Sequence, residues 1–187
     1  MKRLSLHALS QTRKNSLIFI YIFLLIACSK ADREQDDNAV QHRVKVSKTK
    51  SGMTITSELN AAGQKDGSEV ICYSNNALFA SRRFKSGLRV GRTVTFFMPN
   101  YFTKPLTVHE IIYFKNDKQD GKFYSFYENG KIEYLQRWRN GNIVGDNYFF
   151  DNQGRLECKE HFGPEEKITS FICYDSVGRI LKRGTRE

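Results

Sequence analysis

The chain has 187 residues, 40% of them hydrophobic and 13% aromatic, which fits one folded domain and excludes a collagenous or low-complexity chain. Its formal charge is +10, from 30 basic against 20 acidic residues. Four of the basic residues precede residue 28, and the remainder, 26 against 20, is only mildly basic. This excludes a polybasic tail.

Residues 1–27 read as a lipoprotein signal peptide. Lys2, Arg3, Arg13 and Lys14 stand before the apolar run "SLIFIYIFLLIA", which has the length of a signal-peptide core and is short for a transmembrane helix. The run ends in "LIAC", which resembles the bacterial lipobox. The resemblance implies that Cys28 is the lipidated first residue of the mature chain. It also implies a bacterial cell-envelope location, lipid-anchored and at the outer membrane, on its periplasmic or surface side. Acyl chains worth about 0.8 kcal/mol per buried methylene would then hold the protein at the bilayer.

Residues 28–42 hold no aromatic residue and, beyond Cys28, only Ala and Val as apolar ones, so they form a flexible spacer. Asp32, Glu34, Asp36 and Asp37 resemble the export tags of some Gram-negative surface lipoproteins. A short acidic spacer accounts for them equally. An exported chain with this mild charge is not expected to bind nucleic acid.

Residues 43–65 form a capping hairpin, because "RVKVS" and "GMTITSE" each alternate polar and apolar residues around "KTKSG". From Asp66 to the end the sequence repeats. At an offset of 24, Gly121 falls on Gly145, Tyr124 on Tyr148, Gly130 on Gly154 and Trp138 on Phe162. A further step brings Gly154 onto Gly178 and Arg155 onto Arg179. Upstream, "DGSEVICYSNNALFASRRFKSGLRVG" lies on "DGKFYSFYENGKIEYLQRWRNGNIVG" without a gap. Units therefore open at Gly67, Gly91, Gly121, Gly145 and Thr169, with six extra residues in the second, around "MPNYFTKPLTVHE".

Within a unit, aromatics recur with period two on either side of Glu128-Asn129-Gly130, and Asn140-Gly141 leads onward. Each unit is thus a β-hairpin. The fold expected is all-β: an elongated antiparallel meander of about five 24-residue hairpin repeats and roughly ten strands. Phe84, Phe114, Trp138 and Phe162 should form one row on one face.

The "DGKFYSFYENGKIEY" pattern resembles the MORN-type repeat in the degenerate form found in bacterial proteins, some of them labelled antitoxin-like. The resemblance covers Asp66 to Leu181 and extends the repeat domain over residues 66–187. It implies a twisted meander without an active site, bound to phospholipid or protein partners. The chain departs from the standard repeat in lacking its tight Gly-x-Gly spacing, and Pro164-Glu165 replaces Asn-Gly in the final unit.

No spacing of a metal, redox or serine-hydrolase motif is present, and no cofactor is expected. His109-Glu110 and Glu160-His161 are adjacent pairs, which a strand points to opposite faces. The functional reading is a non-catalytic binding or structural module, lipid-anchored, for a protein or anionic envelope partner. The alternative is a small envelope enzyme with its site near the insertion, around His109. The expected binding surface joins the basic cluster Arg82, Arg83, Lys85, Arg89 and Arg92 to Tyr101, Phe102 and Lys104 of the insertion. The alignment puts Cys72 and Cys158 on the aromatic face and Cys173 on the other, so these are expected as buried free thiols. A Cys158–Cys173 bridge stays open, since the two strands are neighbours and an exported compartment permits disulfides.

Overall fold

The computed structural model describes residues 43–98, 106–163 and 166–185. The signal peptide, Cys28, the spacer and Tyr101, Phe102 and Lys104 of the insertion lie outside the described residues. The strands are β1 (Arg43–Lys48), β2 (Thr54–Leu59), β3 (Lys65–Cys72), β4 (Leu78–Lys85), β5 (Leu88–Arg89), β6 (Gly91–Phe96) and β7 (Val108–Lys115). They continue as β8 (Lys118–Phe126), β9 (Ile132–Arg139), β10 (Asn142–Ile143), β11 (Gly145–Phe150), β12 (Leu156–Phe162), β13 (Ile168–Tyr174) and β14 (Ile180–Thr185).

All belong to one antiparallel sheet in the order β1-β2-β3-β4-β6-β7-β8-β9-β11-β12-β13-β14, with β5 paired to β4 and β10 to β9. The fold is therefore the all-β meander that the repeat implies. After the capping hairpin β1–β2, ten strands lie on the path, two for each repeat unit.

Two kinds of turn build it. At one end of the sheet, Ser86-Gly87, Asn116-Asp117 and Asn140-Gly141 all have positive φ, the two-residue turn whose twist matches that of the flanking strands. At the other end the loop is longer than the Asn-Gly motif suggests. Tyr127 N–H bonds Lys131 O at 2.9 Å, and Gly130 N–H, in the left-handed region, bonds Tyr127 O at 2.8 Å. Asp151 to Arg155 and Asp175 to Arg179 repeat the arrangement. In both, the Asp carboxylate accepts the Arg Nε–H as well as the Arg backbone N–H.

These longer turns are accompanied by a bulge. Ser125 pairs with Tyr134 but Phe126 with Ile132, which leaves Glu133 as an extra residue. The same step leaves out Phe79, His109, Glu157 and Leu181 in the other hairpins. A bulge reverses the facing of every residue beyond it, so simple alternation read through the turn assigns the faces wrongly.

With the true register, Ala80–Thr95, Glu110–Ser125, Tyr134–Phe149 and Cys158–Cys173 are successive direct pairs on one face. This face is called the aromatic face below. Four residues along it, Phe84, Phe114, Trp138 and Phe162 lie opposite Gly67, Gly91, Gly121 and Gly145, so the expected row forms. Tyr124 pairs with Leu135 and belongs to the other face. The best-buried apolar side chains, Val70, Ile71, Cys72, Leu78, Ala80, Val94 and Phe114, cluster on β3, β4, β6 and β7.

The glycine that opens each of the first four units is tied to this row by its backbone. Gly121 has φ +128°, and a Cβ there would stand 2.9 Å from Tyr113 Cβ. Gly145 has φ +73° with nothing within 4 Å of the same atom. Gly121→Ala should therefore cost about 2–3 kcal/mol and Gly145→Ala about 1 kcal/mol, read from urea unfolding midpoints. Equal losses at the two sites would mean that the close approach of Tyr113 has no energetic weight.

Candidate functional site

The five described members of the basic cluster do not share one face. Arg82 and Arg89 stand on the aromatic face and are engaged there. Arg82 Nη1 lies 3.3 Å from Glu69 Oε1. The Arg89 guanidinium lies 3.9 Å from the centre of the Phe114 ring, and its backbone N–H donates to Asp117 Oδ1 at 2.7 Å.

Glu69 organises this end of the aromatic face. It is 1% exposed and directly flanked by Ser57 on β2 and Arg82 on β4. Ser57 Oγ–H donates to Glu69 Oε2 at 2.9 Å, and the Lys65 ammonium donates to the same oxygen. Burial acts to raise the Glu69 pKa. The hydrogen bonds from Lys65 and Ser57 and the charges of Lys65 and Arg82 outweigh it, and the group is held below the ordinary carboxylate range. Lys65 also reaches over the Phe84 ring, 4.7 Å from its centre. These partners make Glu69, Lys65 and Arg82 a structural knot. Sequence reasoning missed Glu69 because "DGSEVIC" offers no cue to burial of a carboxylate in mid-strand.

Arg83, Lys85 and Arg92 occupy the opposite face, together with Lys122 and Arg137. Arg83 and Arg92 share this face but are not level: β4 and β6 pair directly only at Ala80–Thr95 and Ser81–Val94, and beyond that Arg83 O accepts the Val90 N–H at 2.8 Å. Arg92 pairs with Tyr113, and Lys122 pairs with Arg137. Between β7 and β8 the register shifts at Tyr113, from Ile112–Phe123 to Phe114–Gln119, so Tyr113 and Lys122 are not a direct pair. Arg83, Arg92, Lys122 and Arg137 therefore share this face without forming one continuous line. The four cations are exposed, and Tyr113 is 38% exposed. None of the four pairs with a carboxylate among the described residues.

Asp146 lies beyond a similar break, since β9 and β11 pair directly only up to Leu135–Tyr148 and Arg137 O then accepts the Val144 N–H at 2.9 Å. Its Oδ1 lies 2.7 Å from His161 Nδ1, its Oδ2 lies 2.8 Å from Lys159 Nζ, and Tyr148 OH donates to Oδ2 at 3.3 Å. Burial tends to raise the Asp146 pKa, but the bonds from Lys159 and His161 prevail and lower it. His161 thus has a cross-strand carboxylate that adjacency in sequence does not reveal. Lys122 and Arg137 could have been found by the repeat offset, because Lys122 is the counterpart of Arg92 one unit on and Arg137 that of Arg83 two units on.

His109 is the bulged residue of β7, and its ring lies 4.4 Å from the centre of Phe97. Among the described residues no group of three His, Cys, Asp or Glu side chains could hold a metal ion.

The thiol expectation is corrected. Cys158 and Cys173 form a disulfide across a direct pair of β12 and β13, with Cα atoms 4.0 Å apart. They were expected on opposite faces because alternation was carried through a bulge. In the preceding unit the same ladder position holds Tyr134 and Phe149, whose rings are 4.7 Å apart. Cys72, 3% exposed, is not a free thiol either.

No protein family matches the chain, and no curated protein matches it. Among solved structures, the crystal structure of TarM is similar over 92% of this chain at 12% identity and a TM-score of 0.30. A point mutant of S. aureus TarM in complex with Fondaparinux, alpha-GlcNAc-glycerol and UDP is similar over 89% at 11% identity and a TM-score of 0.31. The chain spans about a quarter of the length of those proteins, 24% and 27%.

Proposed function

We propose that this chain is a lipid-anchored, non-catalytic module of the bacterial cell envelope, with degenerate MORN-like repeats, that holds a protein or anionic partner on its sheet. The observation that carries the binding part is that Arg83, Arg92, Lys122 and Arg137 stand exposed on one face of the sheet. The anchoring part rests on the order of basic flank, apolar run and "LIAC" before Cys28. A rigid sheet of repeats on a tether suits display of a surface, since each unit adds area without altering its neighbours.

Anchoring is tested with Cys28→Ser in the full chain. The variant should leave the membrane fraction or accumulate unprocessed, whereas the wild type partitions into detergent. Identical maturation and partitioning of the two would rule out lipidation at Cys28. The binding part is tested by crosslinking in intact cells followed by pull-down at low and moderate salt. Recovery of no partner under either condition would count against a module.

A further inference from the structure

The fifth unit departs from the repeat at positions that are polar in the units before it. At the offset of 24, Val177 stands where the earlier turns hold Gln153 and Asn129, and Leu181 where the earlier bulges hold Glu157 and Glu133. Ile180 keeps the apolar character of Leu156 and Ile132, but those two are half-buried and Ile180 is 54% exposed. Val177 and Leu181 are more exposed still, so apolar side chains lie open together at one corner. They border a sheet edge. Among the described residues no strand lies beyond β14, and its outer backbone groups form a template for one more. The turn is built for a neighbour as well. Lys131 Nζ donates to Gln153 O at 2.7 Å and Arg155 Nη1 to Ser176 O at 3.3 Å, each reaching the turn of the following unit. Arg179 is next in that series, with its Nε–H on Asp175 and its side chain 80% exposed.

We infer that the β14 edge takes up an extended acidic segment of a partner protein as one more antiparallel strand. The register follows from the repeat. β11 meets β9 at Tyr134–Phe149 and Leu135–Tyr148, and β13 meets β12 at Cys158–Cys173 and Lys159–Ile172. The counterparts on β14 are Lys182 and Arg183, so an added strand sets two consecutive residues against these cations, one on each face. Carboxylates at both positions complement them, and cations there are repelled. Apolar residues beside the acids meet Ile180 and Leu181. Charge also disfavours this chain's own edges as occupants. The β14 strand of a second copy would bring Lys182 and Arg183, and its β1 strand Arg43, Lys45 and Lys48. In strand addition the main chain supplies affinity and the side chains supply selectivity. This surface lies at the end of the sheet and is independent of the cation-bearing face invoked above.

The test uses purified full-length protein in detergent and a fluorescent peptide of about eight residues, with Asp-Asp flanked on both sides by alternating Val and Thr. A matched peptide carries Lys-Lys in place of Asp-Asp. Wild type should bind the acidic peptide about tenfold more tightly than the basic one, and that affinity should fall as salt is raised. Hydrogen exchange with the acidic peptide bound should slow in β14 and stay unchanged in β1. Lys182→Glu with Arg183→Glu should reverse the preference, so that the basic peptide binds better. Leu181→Ser should weaken the acidic peptide about threefold by removing apolar contact. Lys122→Gln with Arg137→Gln, on the face, should bind it as the wild type does.

Equal binding of the two peptides by wild type overturns the inference, and so does slowed exchange that falls outside β14. Loss of the acidic peptide in the Lys122→Gln, Arg137→Gln variant would move acid recognition to the face and overturn it too. If the charge-reversed variant failed to fold, Leu181→Ser would decide, and unchanged binding there would count as refutation. Sedimentation showing wild-type dimers, with β14 protected in the absence of peptide, would give the edge to a second copy instead.

Discussion

Reducing the Cys158–Cys173 disulfide is expected to lower the stability of the last two units by about 3 kcal/mol, the loss for closing a loop of roughly 15 residues. The bond joins β12 to β13 directly, and β14 attaches to the sheet only through β13. The effect should be local, since in a stacked array each unit contacts its neighbours alone. Hydrogen exchange should therefore quicken in β12, β13 and β14 in the Cys158→Ser, Cys173→Ser variant. The amides of β3 and β4 should keep their protection. Unfolding midpoints of this variant that coincide with those of the wild type would show that Tyr134–Phe149-type packing already suffices at this ladder position.

Glu69→Ala should have a comparable effect at the other end, about 2–3 kcal/mol, and a pH dependence that the disulfide lacks. Removing the carboxylate leaves Arg82 and Lys65 without a counter-charge and Ser57 Oγ–H without its acceptor. The figure stands below that for a fully buried pair because the Arg82 and Lys65 side chains retain 30% and 42% exposure. The folded carboxyl is held below its ordinary pKa, so the unfolded chain takes up a proton first as pH falls. The stabilisation is thus present above the ordinary carboxylate range and disappears as pH drops through the folded value. Denaturant unfolding at neutral pH should separate wild type from Glu69→Gln, and the gap should narrow as pH drops below about 4. A gap that stayed constant from neutral to acidic pH would mean that the charge of Glu69 does not stabilise the fold.

How far the sequence revealed this depended on what repeats. The interval of 24 between Gly121 and Gly145 reflects a structural step, because each such glycine pairs with an aromatic residue of the next strand on the path, Trp138 and Phe162. The count of strands and the row of Phe84, Phe114, Trp138 and Phe162 followed from it. The faces did not follow, because the bulges at Phe79, His109, Glu133, Glu157 and Leu181 add a residue that alternation does not anticipate. Hence the Cys158–Cys173 bridge was misjudged and Arg82 was grouped with Arg83. The contacts that give Glu69 its low pKa and Asp146 its three partners are made across strands. Their distance in sequence, from Ser57 to Arg82 or from Asp146 to His161, hides them until the register is known.

The order of the sheet also bears on how the chain reaches it. Along the whole path every strand pairs with the one that precedes it, apart from the two short strands that lie to the side. Gly87 N–H bonds Lys65 O, Asp117 N–H bonds Arg89 O and Gly141 N–H bonds Gln119 O, so a new turn closes onto residues already laid down. Contacts of such short sequence separation require little loop closure, and sheets of this kind are spared the slow search of folds with distant pairings. A chain emerging from its N-terminus can therefore add one hairpin after another as it appears, each templated by the last, and a chain interrupted between units leaves behind a shorter version of the same sheet.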